Sequence, residues 1–179
     1  MKERFMKRLF TLAMGLIVTA CFSAAAFAQG NPRGKAELEL GGKKVSVEFG
    51  RPSLKGRSVK EMLDQLNPGE VWRLGADKST TFMTTGGLVF GDVTVPKGEY
   101  SLWARKEAGN SWKLVFNKQH GQWGTQHDPA QDMAAVPLKV EKAEKPAEQV
   151  TINLEKEGGS NEISIEWGDL ELSANFNAK

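Results

Sequence analysis

Cysteine is nearly missing from this chain: its 179 residues hold one, Cys21. That excludes a disulfide framework and a cysteine zinc site, and beyond the N-terminal stretch it excludes a thiolate nucleophile. Histidine is scarce too, with His120 and His127 alone. An excess of one charge is lacking. Lys plus Arg number 24 and Asp plus Glu 22, for a formal net charge of +2. Residues 1–28 carry four of those cations and one anion, so the remaining 151 residues hold 20 and 21. A nucleic-acid binder held mainly by charge is thereby excluded. There is no G-x-G-x-x-G, no P-loop and no G-x-S-x-G, so nothing supports phosphate cradling by a glycine loop or a nucleophile elbow. No acidic loop has EF-hand spacing, and no internal repeat is visible. Beyond residue 28, no segment is long and apolar enough to cross a membrane.

What is present begins with the leader. Lys2, Arg4, Lys7 and Arg8 precede an uncharged run from Leu9 to Ala28 that ends Ala26-Phe27-Ala28. A positive start, an apolar middle and a small-residue exit predict a secretory signal peptide over residues 1–28, cleaved before Gln29. Two other readings share the signal. The run has the length of a bilayer span and would serve uncleaved as an anchor. Val18-Thr19-Ala20-Cys21 also resembles a lipoprotein box, which would leave an acylated Cys21, although Phe22 to Phe27 stay apolar where a mature lipoprotein turns polar. The first reading places the protein in a bacterial periplasm or outside the cell, with membrane contact only through an uncleaved or lipidated leader. Residues 29–179 then form one domain, and the 40% apolar content of the whole chain is that of a globular protein. A domain of this size buries roughly two-thirds of its unfolded surface.

From Ala36 the apolar period is mostly two. Ala36, Leu38 and Leu40, then Gly41-Gly42, then Val45, Val47 and Phe49 predict a β-hairpin. Arg51-Pro52 ends it. Ser58-Val59-Lys60-Glu61 is a capping box, and Val59, Met62, Leu63 and Leu66 give one short helix an apolar face. Asn67-Pro68-Gly69 stops it. Strand signals recur at Val71–Leu74, Thr80–Thr84, Leu88–Phe90, Val93–Val95, Tyr100–Arg105 and Trp112–Asn117. Val136, Leu138 and Val140 alternate, and Lys142 to Glu148, charged and holding Pro146, reads as a surface connection. Further strands follow at Val150–Leu154, Ile163–Trp167 and, after Gly168-Asp169, Leu170–Phe176. About ten short strands with glycine turns and one helix predict an all-β fold, an antiparallel β-sandwich of jelly-roll-like type. A closed barrel is the alternative. Residues 118–134 break the rhythm, and aperiodic loops of that length are often functional or mobile.

Few residues carry chemistry. His120, His127, Asp128 and Asp132 have metal-ligand types, but their spacing matches no familiar metal pattern, so neither a metal nor another cofactor is expected. His127 with Asp128 as its orienter is a general-base arrangement of equally low specificity. Trp103 and Trp167 lie in strand patterns and read as core. Trp123 sits in the aperiodic loop, either as an anchor or as an exposed flat face for a sugar or aromatic ligand. The basic stretch Arg51-Pro-Ser-Leu-Lys-Gly-Arg57 reads as solvated charge or, with arginine forks beside a helix start, as a carboxylate or phosphate contact.

Several ordered motifs make the chain recognisable. Pro52 to Arg57 reads PSLKGR, and Gly69 to Asp77 reads GEVWRLGAD. Pro96 to Leu102 reads PKGEYSL, and Trp112 to Lys118 reads WKLVFNK. With Trp123-Gly124 and Asp128, these resemble the bacterial family called domain of unknown function 2911, over nearly all of the chain after the leader. Asp77 departs from the family pattern, which often has asparagine there, and a carboxylate would reverse the hydrogen-bond preference of a ligand contact. The resemblance implies an exported domain and its fold rather than a reaction.

Strand neighbours point to opposite faces, so a core-facing Trp72 turns Arg73 outward or into a groove. The simplest role for Arg73 is a structural pair with a carboxylate such as Asp77. The functional expectation is a polar ligand site built from Arg57, Trp72, Arg73, Asp77, Asn117, Lys118 and His127, with Trp123 as a lid. Its ligand is small and polar, anionic or glycan-like, and no nucleic acid is expected. Two other functions remain open: an envelope structural or protein-interaction module, and a hydrolase or lyase using His127, Asp128 or Asp77 as acid or base.

Overall fold

The computed structural model describes residues 30–179. The expected signal peptide, with its lipidated and anchored alternatives, lies outside the described residues. Strands β1 (Arg33–Leu40) and β2 (Lys43–Gly50) pair antiparallel along their whole length around Gly41-Gly42. On β1 the charged residues are exposed in strict alternation, which suits a strand at a sheet edge. Helix α1 (Val59–Asp64) is capped by Ser58, whose hydroxyl accepts from the Glu61 amide at 3.3 Å. A helix this short is held by packing rather than propensity, and it buries Val59 and Leu63.

Six short strands follow: β3 (Val71–Trp72), β4 (Thr81–Thr84), β5 (Leu88–Phe90), β6 (Val93–Val95), β7 (Gly98–Lys106) and β8 (Trp112–Asn117). The expected strand Val71 to Leu74 is cut to two residues. Leu74 takes a left-handed backbone, φ 53°, and the chain leaves the ladder there.

The C-terminal third corrects two expectations. Lys142 to Glu148 is not a surface connection but the middle of one long strand, β9 (Asp132–Glu157). Gly168-Asp169 is not a turn between strands but an irregularity inside β10 (Ser160–Ala178). The physical reason is a wide bulge. Glu166 faces Thr151, Gly168 faces Ala147 and Leu170 faces Lys142, so β9 loops out between these partners. Pro146 falls in the looped-out stretch, where its missing N–H costs no ladder bond. The freed backbone of β9 binds the chain entering α1 instead: Leu54 N donates to Glu148 O at 2.9 Å and Val150 N to Pro52 O at 3.2 Å.

The strands form one antiparallel sheet in the order β1-β2-β4-β7-β8-β9-β10-β5-β6, with β3 beside β7. The end strands β1 and β6 do not join, so the sheet is open and not a barrel. It folds over on itself in a sandwich-like, all-β arrangement. Phe90 of β5 stacks on Phe176 of β10 at 5.1 Å, and both belong to the core reached from the other layer by Phe116 of β8, 5.4 Å from Phe90. Phe82 and Tyr100 meet Phe116 edge-on at 5.2 and 6.0 Å, an arrangement favoured by ring quadrupoles.

A cationic, tryptophan-walled cleft

Where β3 ends, the segment 73–77 is shaped by two close backbone approaches. A Cβ on Gly50 would stand 2.2 Å from Ala76 O, so the end of β2 lies directly against this segment only because residue 50 is glycine. Thr80 is fully buried, and its hydroxyl donates to Leu74 O at 3.0 Å, which supports the left-handed turn at Leu74. Asp77 also takes positive φ, 63°. Its backbone carbonyl accepts from Gly124 N at 2.7 Å, tying the aperiodic loop to this corner. The loop is fixed further by Ser79 N donating to Gln122 O at 2.9 Å.

These contacts open a cavity of about 640 Å³ between α1, the segment 73–76 and the loop. Met62, Leu63 and Leu66 give it an aliphatic side. Three tryptophans give it an aromatic one: Trp72 from β3, Trp103 from β7 and Trp167 from β10. Trp72 and Trp167 stack at 5.7 Å and 13°. Trp103 Nε1 donates to Ser101 Oγ at 2.8 Å, whereas Trp167 Nε1 is the one buried side-chain nitrogen or oxygen among the described residues without a partner.

The fixed charges in the wall are of one sign. Arg57 and Arg73 line the cavity beside His127, and no aspartate or glutamate does. Arg57 donates through Nε to Leu54 O and through Nη2 to Ser53 O, both at 2.8 Å, which orients its guanidinium without neutralising it. Arg73 is half-buried and makes no ion pair or side-chain hydrogen bond among the described residues; its stem lies over Gly124. The expected structural pair of Arg73 with Asp77 does not form. Asp77 Oδ2 accepts instead from Asn31 N at 2.8 Å and Asn31 Nδ2 at 3.3 Å.

The expected site residues therefore divide. Arg57, Trp72, Arg73 and His127 come together around one cavity. Asn117 is fully buried behind it, donating to Asp128 O and Asp132 Oδ1, both at 2.7 Å. Lys118 is exposed beyond the end of β8. Trp123 is half exposed, its backbone bridged to Lys78, and it does not line the cavity. Asp128 caps the short 3-10 turn Pro129–Gln131 by accepting from Ala130 N at 3.0 Å.

Trp103, Trp167 and Asp132 matter more than their sequence context suggests. His127 Nε2 lies 2.8 Å from Asp132 Oδ1, and the imidazole packs against Trp103 with ring centres 4.9 Å apart. Arg105 stands behind the carboxylate, 3.9 Å from Asp132 Oδ2. The two histidines belong to different pairs, since His120 Nδ1 lies 3.4 Å from Glu99 on β7. No group of three or more metal-ligating side chains occurs among the described residues.

A second cavity, about 680 Å³, lies on the other side of α1. Its rim mixes Lys60, Lys106 and Lys142 with Asp64, Glu141 and Asp169, so it has no net charge to select a ligand. Lys60 and Asp64 pair with each other one helical turn apart. Two of the family-like motifs, Pro52–Arg57 and Gly69–Asp77, together with Gly124, line the first cavity, which is the candidate site.

Fold and site together define an all-β, sandwich-like domain with one positively charged aromatic cleft. The chain belongs to the family described as protein of unknown function (DUF2911), whose model matches residues 31–176. No curated protein and no solved structure matches the chain.

Proposed function

We propose that this is an exported, non-enzymatic binding protein whose cleft takes a small anionic ligand with a flat, apolar body. The observation that carries this reading is the pair of guanidiniums, Arg57 and Arg73, in a wall without a single carboxylate. Arginine forks suit carboxylate and phosphate oxygens. An uncompensated, half-buried guanidinium on a rigid strand end is preorganised for such a partner. The body of the ligand rests between Trp72, Trp103, Trp167 and the aliphatic side of α1. Export rests on the leader pattern of residues 1–28.

Titration of small aryl anions followed by tryptophan fluorescence tests the reading. Arg73→Ala is expected to abolish binding and to leave the melting temperature within about a degree or two, because Arg73 supports no other residue through a polar contact. Unchanged affinity, or a large fall in stability with no binding in either protein, would overturn it.

A further inference from the structure

Within this cleft, His127 is built differently from the two arginines. Its side chain is only 12% exposed, and the Asp132 side chain only 18%. Nε2 faces Asp132, whose carboxylate is fixed by Asn117 and backed by Arg105. The ring face is covered by Trp103. Such a carboxylate orients an imidazole and selects the tautomer in which Nε2 carries the proton. Nδ1 then remains as the free nitrogen, an acceptor when the ring is neutral and a donor when it is charged. A neutral Nδ1 presents a lone pair to an anion. A protonated one presents a third positive contact, with Asp132 stabilising the imidazolium from behind.

Several charged groups surround the His127 imidazole. Arg73 and Arg57 share the cavity wall with it. Asp132 touches it, Arg105 backs Asp132, and Glu107 in turn pairs with Arg105 at 3.0 Å. Asp128 is its chain neighbour and is engaged with Ala130 N. In the empty cleft no anion answers the two arginines that share its wall with His127. A ligand carrying one negative charge leaves one guanidinium unmatched. A ligand carrying two matches both and still has an acceptor oxygen for a protonated His127 Nδ1, which Asp132 backs from Nε2.

We propose that the cleft selects a doubly charged head group, that of a phosphomonoester on a flat apolar body, and takes up a proton with it at His127. This rests on the reading of the cleft as an anion site and adds its ligand class and proton linkage. No covalent bond forms or breaks; one proton moves from solvent to Nδ1.

Phenyl phosphate and phenyl sulfate test this, because they have nearly one shape and differ in charge. Calorimetric titration of the whole protein at about pH 7.5, where phenyl phosphate is already mostly a dianion, is run in two buffers of different ionisation enthalpy. The difference in apparent heat gives the protons taken up. Phenyl phosphate is expected to bind at least about tenfold more tightly than phenyl sulfate. It is expected to take up about half a proton or more, carried on His127 Nδ1. In His127→Gln the uptake vanishes and the preference shrinks, while weakened Arg73-dependent binding persists. Equal affinity for the two probes with no proton uptake, or uptake unchanged in His127→Gln, overturns this inference and leaves the anion cleft standing. Failure of both probes to bind overturns it together with the reading on which it rests.

Discussion

Two buried tryptophans in the cleft wall differ by one hydrogen bond. Trp103 Nε1 donates to Ser101 Oγ, and Trp167 Nε1 donates to nothing among the described residues. A buried donor left unpaired has already lost its hydration, so removing it recovers part of that penalty. Trp103→Phe is therefore expected to cost about 1 kcal/mol more stability than Trp167→Phe, read from urea denaturation of the two variants. The reverse order would mean that the Trp72–Trp167 stack outweighs the hydrogen-bond difference. At this scale the sequence is informative in part. Trp103 and Trp167 are legible as buried strand residues from their alternation. That they wall a cavity is not, because the orientation of Trp167 depends on an irregularity in β10 that leaves no periodic trace. The His127–Asp132 pair is likewise hidden. Its members are five residues apart in an aperiodic loop, and a 3-10 turn between them brings them together.

Among the elements, the contact between β2 and the segment after β3 holds the cleft open. Gly50→Ala would push a methyl group to within 2.2 Å of Ala76 O and 2.8 Å of Ala76 N. Backbone cannot yield as a flexible side chain does, and the expected loss is about 3 kcal/mol, measurable as a lowered denaturant midpoint. Because segment 73–76 carries Arg73, the same variant is expected to weaken anion binding. Pro146 makes the opposite case. It lies within a 26-residue strand, yet opposite the bulge at Gly168, so Pro146→Ala is expected to change stability by less than about 0.5 kcal/mol. A loss of several times that would show that the proline itself shapes the bulge. Gly41-Gly42, the Ser58 cap and the strands Leu88–Phe90 and Trp112–Asn117 are all legible, since hairpin turns, caps and alternation are local signals. The continuity of β9 is not, because proline and a run of charges normally end a strand. Here a bulge removes the penalty through a partner segment about a hundred residues away in sequence, Pro52–Leu54.

Over the whole molecule, charge is unevenly placed on the long β9–β10 pair. Burial raises Glu162 above the ordinary carboxylate value of about 4.5, helped by repulsion from Glu157. Burial likewise raises Glu171, with repulsion from Glu166, Glu162, Glu141 and Glu144. In the folded state both hold their protons more tightly than in the unfolded one. Their contribution to stability is thus present at low pH and is lost as pH rises from about 4.5 through the raised native values. Glu171→Gln is expected to raise the melting temperature at pH 7 and to approach the parent protein below pH 4. A variant less stable than the parent at pH 7 would contradict the placement of this charge.

The cleft, by contrast, gathers residues from α1's approach, β3, β7, β10 and the aperiodic loop, with two arginines and no carboxylate in its wall. Its use as an anion site is open to direct observation, by determining the structure of crystals soaked in phenyl phosphate. The phosphate is expected within hydrogen-bond distance of both Arg57 and Arg73, with the ring against the tryptophan wall. A phosphate bound instead among Lys60, Lys106 and Lys142, or a cleft left without ligand at saturating concentration, would contradict it.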